Sequence, residues 1–68
     1  METSYQDETM INCIMQMIKE TQSDICLYKK WHTSCQNKAV KASFHELVTF
    51  AENRLQVLYK EINEILSA

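Results

Sequence analysis

Apolar residues recur at alternating steps of three and four along both halves of the chain. In the first half these positions carry Ile11, Ile14, Ile18, Thr21, Ile25, Tyr28, His32 and Cys35. In the second they carry Phe44, Val48, Ala51, Leu55, Leu58, Ile62 and Ile65, with no polar interruption. Such spacing lines one side of a helix, whereas the period-two alternation of a half-buried strand runs nowhere for more than a few residues. Each half therefore predicts a long helix with a heptad-like seam.

Start signals agree with that division. Thr3-Ser4-Tyr5-Gln6 has the form of a capping box with Thr3 as N-cap, and Ser43-Phe44-His45-Glu46 has the same form just before the second seam. Thr21-Gln22-Ser23-Asp24 repeats it in mid-chain. A break there would turn the first helix into two and give a three-helix bundle. The connection falls within residues 33–43. Asn37 is the best residue in it for the left-handed conformation that ends a helix. The turn is then either short, near Ser34–Asn37, or longer, with the second helix beginning at Ser43. Asp7 and Glu8 suit a first turn, and Lys29 and Lys30 suit a last turn, by the sign of the helix dipole. The expected fold is all-α: one domain over residues 1–68, an antiparallel helical hairpin. Its helices run from about residue 4 to 33 and on to about residue 66, and it assembles into a helical bundle.

Composition narrows the alternatives. The chain has 68 residues with Gly 0 and Pro 0. That removes the usual material of tight hairpins, Gly-rich phosphate loops and dinucleotide fingerprints. No apolar run approaches the ~18 residues of a membrane span. The polar, acidic start Met1-Glu2-Thr3-Ser4-Tyr5-Gln6-Asp7-Glu8 is unlike a targeting peptide. Three cysteines, Cys13, Cys26 and Cys35, cannot close into a full disulfide set. They read as small, partly buried hydrophobes in a reducing compartment, and the expected location is cytoplasmic.

One seam does not use up the apolar residues. Met10, Met15, Met17 and Trp31 lie beside the first seam; Leu47, Tyr59 and Leu66 lie beside the second, with Phe50 and Val57 further round. This stripe is wider than one helical neighbour covers, and chains under ~70 residues seldom stabilise themselves without a staple or an oligomer. Met10, Ile14, Met17, Trp31, Leu47, Phe50 and Val57 are accordingly the predicted partner-binding residues. The partner is a protein, either a second copy or another helical chain.

Charge supplies the competing reading. Net charge is −2, but it is unevenly spread. Residues 1–24 hold Glu2, Asp7, Glu8, Glu20 and Asp24 against Lys19. Residues 25–41 hold Lys29, Lys30, Lys38 and Lys41 with no acid. Residues 42–68 hold Glu46, Glu52, Glu61 and Glu64 against Arg54 and Lys60. The segments carry −4, +4 and −2 in turn. Four lysines around Trp31 could neutralise phosphates and stack a base, so a small nucleic-acid-associated regulator using residues 29–41 is the alternative function.

Other chemistry is poorly supplied. Cys26, His32, Cys35 and His45 are metal-ligand types, but no pair repeats the two-plus-two spacing of a structural zinc site. There is no Glu-x-x-His for a di-iron bundle. A Cys35–histidine pair lacks an orienting group, an oxyanion site and a cleft. No catalytic residue, metal or cofactor is expected. The expected function is a non-enzymatic protein-interaction module (an adaptor, co-chaperone, regulator or assembly subunit) acting by helix-on-helix burial.

Overall fold

A computed structural model describes residues 5–67. They form two α-helices, α1 (Tyr5–Ser34) and α2 (Lys38–Ser67), each of 30 residues, packed against one another as a helical hairpin. At ~1.5 Å per residue each helix is about 45 Å long, and the hairpin measures 52 × 14 × 12 Å.

The seams read from the sequence are the seams that fold. Every seam position from Ile11 to Cys35 and from Phe44 to Ile65 is buried or half-buried, and nearly everything between them is exposed. Counted outward from the turn, the seam positions come level as Cys35 with Lys41, His32 with Phe44, and so on through Thr21 with Leu55 to Ile11 with Ile65. The ring contacts of Trp31 with Phe44 and of His32 with His45 fall within one residue of that register.

α1 does not break at residues 21–24, so the three-helix alternative is overturned. Thr21 is the most buried residue of the core, 4% exposed. Its hydroxyl donates to the Met17 carbonyl oxygen at 2.7 Å. The buried polar group of the seam is thus satisfied by its own helix, and Gln22, Ser23 and Asp24 remain exposed. Nothing there requires the chain to leave the helix.

The turn is the short one. The Cys35 amide donates to the Trp31 carbonyl at 2.9 Å, closing α1, and the Lys41 amide donates to the Asn37 carbonyl at 2.8 Å, opening α2. The Asn37 side-chain oxygen accepts from the amides of Ala39 at 3.0 Å and Val40 at 3.1 Å. Asn37 is therefore the N-cap of α2, not a left-handed end to α1; no described residue has positive φ. Ser43 lies inside α2, its hydroxyl donating to the Ala39 carbonyl at 3.2 Å, so the capping box expected there is not used. Starting at Lys38 gains five residues of helical backbone bonding that a start at Ser43 forgoes. Asp7 and Glu8 occupy the first turn of α1, but its last turn holds His32, with Lys29 and Lys30 just before it. The box proposed at Thr3 lies outside the described residues. Asn37→Ala removes two acceptor bonds from the start of α2 and should cost about 1 kcal/mol, while Asn37→Asp should retain most of it; urea unfolding of the three chains checks this.

Candidate functional site

An antiparallel hairpin has two flanks beside its seam. On one, the rows 10, 17, 24, 31 of α1 and 40, 47, 54, 61 of α2 approach each other, with rows 13, 20, 27, 34 and 43, 50, 57, 64 just outside them. Asp24, Leu47, Phe50 and Arg54 line a common recess there, which fixes the rows of both helices to one side. On the other flank the Gln22 side-chain amide donates to the Tyr59 hydroxyl at 3.0 Å, a side-chain hydrogen bond between the helices.

The exposed large apolar side chains are divided unequally. The first flank receives Met10, Met17, Leu27 and Trp31 from α1 and Val40, Leu47, Phe50 and Val57 from α2. The second holds Met15, Tyr59 and Leu66, with Tyr5 at the start of α1. Phe50 and Val57 are 69% and 57% exposed. Trp31 is held by one edge: its ring meets Phe44 at a centroid distance of 5.6 Å and 70° between planes, leaving the rest of the indole open.

Six of the residues predicted to bind a partner, Met10, Met17, Trp31, Leu47, Phe50 and Val57, stand together on this first, apolar flank. The seventh, Ile14, does not; it is half-buried in the seam between α1 and α2. Leu27 and Val40 were missed. Leu27 lies one helical turn from Ser23, Asp24 and Lys30, and Val40 in what reads as a loop. The seven-residue rows through Cys13 and Leu47 are the signal that places them.

The lysines do not make a stripe with Trp31. Lys29 and Lys38 fall in rows of the second flank, Lys30 on the back of α1, and Lys41 half-buried at the turn end of the seam. Trp31 faces the opposite flank. His32 and His45 bring their rings to 6.0 Å at the turn end. Cys35, half-buried beside them, turns its thiol to the Asn37 carbonyl at 3.6 Å. Cys13 and Cys26 are exposed rather than partly buried, because their rows lie outside both seams. Among the described residues no three His, Cys, Asp or Glu side chains form a metal-holding group, and no helix is long and apolar enough to cross a membrane.

The core is thin. Among the described residues only Ile25, Val48 and Leu58 are buried apart from Thr21, and no described side chain is completely enclosed. The chain exposes 5536 Å², where a compact monomer of its mass would expose about 4,400 Å². Compared with protein-family models, curated proteins and solved structures, the chain matches none.

Proposed function

We propose that this chain is a protein-interaction module whose working surface is the apolar flank, buried on assembly against helices of a partner. The reading is carried by the eight large apolar side chains exposed on that one flank. Large exposed apolar side chains gathered on one side mark interaction surfaces more often than single scattered ones do. Methionines at one end of the flank and an anchored tryptophan at the other are residue types favoured at interface centres. The thin core gives the same surface a thermodynamic use, since burial there supplies stability that the seam alone does not.

The test compares charges placed on two sides of the same helices. The tagged full chain, purified from its own cells, should migrate in a complex heavier than 8.0 kDa. Leu47→Glu with Phe50→Glu should reduce it to the free hairpin. Ser23→Glu with Asn53→Glu, which add the same charge on the backs of α1 and α2, should leave the complex intact. Equal behaviour of the two pairs would overturn the reading. A second outcome separates proteins from nucleic acid: Trp31 emission should shift to the blue in the complex and stay unchanged on adding single-stranded oligonucleotide at 150 mM salt. Quenching with a salt slope of about −0.7 per phosphate contact would favour the basic segment as the working surface instead.

A further inference from the structure

Resting on that reading, we infer that the flank's occupant is a cationic amphipathic helix of another protein. It carries an apolar stripe along its length, with lysines or arginines beside that stripe in the half that meets the open end of the hairpin.

The charges standing on the flank itself carry this inference. Its rows hold Glu20, Asp24, Glu61 and Glu64 against Arg54 alone, a net −3, and every lysine of the chain falls outside them. All five of these side chains are exposed. Acidity belongs to this flank and not to the surface at large, because the second flank sets Lys19, Lys29 and Lys38 against Glu8 and Glu52.

The acids are also confined to one half. From Asp24 to the turn, the flank presents Leu27, Trp31, Val40, Leu47 and Phe50 with Ser34 and Ser43 between them, and no charge. Asp24 and Arg54 line one recess near mid-length, so each offsets the other. From there to the open end, Glu20, Glu61 and Glu64 stand among Met10, Met17 and Val57. By the register of the seams, Glu61 and Glu64 come level with residues 15 and 12 of α1.

This pattern discriminates among occupants. An apolar surface laid over the open half strips water from three carboxylates and returns no partner to them. Nucleic acid and anionic lipid bring charge of the same sign. A second copy offers Arg54 as the one cation of its own flank. Laid parallel it sets carboxylates beside carboxylates, and laid antiparallel it sets them on the uncharged half. Lysines or arginines of a partner helix pair with the carboxylates while their aliphatic stems cover Met10 and Met17. The apolar stripe of the same helix continues over Leu27, Trp31 and Phe50, as a helix lies in a groove. The flank runs about 40 Å from Met10 to Val40, the length of a helix of about 25 residues at ~1.5 Å each.

The complex of the tagged full chain, purified from its own cells, tests the occupant. Glu61→Lys with Glu64→Lys should weaken it about tenfold or more, and added salt should weaken the unmodified complex. Glu46→Lys with Glu52→Lys changes the net charge equally from the back of α2 and the second flank, and should change binding little. A direct probe is a tryptophan-free synthetic helix of about 25 residues, with leucines at three- and four-residue spacing and lysines beside them in one half. It should shift Trp31 emission to the blue. The same peptide with glutamates for its lysines should bind about tenfold or more weakly, and Glu61→Lys with Glu64→Lys should reverse that order. Helicity of each variant is checked first. If the lysine pair unfolds the hairpin, Glu61→Gln with Glu64→Gln takes its place and should abolish the preference without reversing it. Equal binding of the two peptides, equal effects of the two lysine pairs on the complex, or a complex made of this chain alone overturns the cationic helix. If the Leu47 and Phe50 variant loses the complex while the Glu61 and Glu64 variant keeps it, the flank reading stands and the cationic helix alone is overturned.

Discussion

Leu58→Ala should lower the unfolding free energy by about 2–5 kcal/mol, the range for removing a buried leucine side chain without refilling its space. Leu58 is 8% exposed at the heart of the uninterrupted second seam. Its neighbour Val57 points to the apolar flank and is 57% exposed. Val57→Ala should change hairpin stability by no more than ~0.5 kcal/mol, since it leaves no cavity and alanine is the better helix former. Small domains hold only ~5 kcal/mol or a little more in all, so Leu58→Ala should approach complete loss of cooperative unfolding. Denaturant melts must be run at one fixed, low protein concentration, because any self-association adds stability by mass action. A Leu58→Ala chain that melts like the unmodified one would mean the two helices do not meet along this seam.

Much of this hairpin can be read before it is folded, for a definite reason. The seam is a local property: each helix repeats it every seven residues, so Ile11 through Cys35 and Phe44 through Ile65 declare their face without knowledge of the other helix. Thr21 was legible as a seam position, though not as a continuation of the helix, because its hydroxyl can serve either a cap or a preceding carbonyl. Residues nearby do not decide between them; the uninterrupted partner seam at Ala51, Leu55 and Leu58 does. The turn was ambiguous in the same way. Asn37 and Ser43 both satisfy local capping rules, and the choice falls to Asn37 because the earlier start lengthens α2 while keeping the seams level. The candidate surface was partly legible. Each helix's surplus of apolar residues is visible in isolation, but that Met10, Met17 and Trp31 share a side with Leu47, Phe50 and Val57 requires the antiparallel pairing. The same pairing sends Lys29 and Lys38 to the opposite flank from Trp31, which linear proximity in the sequence concealed.

Ile25→Asp should unfold the hairpin at neutral pH and allow partial refolding in acid. Ile25 is 9% exposed and shares its recess with Leu55 and the carboxylate of Glu52, with no lysine or arginine lining it. The substitution removes a buried aliphatic chain, which costs ~2–5 kcal/mol, and adds the desolvation of a carboxylate, which costs several more when unpaired. Together these exceed what so small a core can hold. Burial and the neighbouring Glu52 charge both disfavour the ionised form, so the introduced carboxyl titrates higher in the folded chain than its value of about 3.9 when unfolded. The folded state then binds the proton more tightly. This contribution to stability is fully present below the unfolded value and is lost as pH rises through the raised folded one. Ile25→Asn has nearly the same shape without the charge and should show no such dependence, while the native carboxylates titrate alike in both variants. The difference in helicity between the Asp and Asn variants should therefore be small near pH 3 and grow toward pH 7. Equal helicity of the two at pH 7 would show that water reaches position 25 and that the seam is open there.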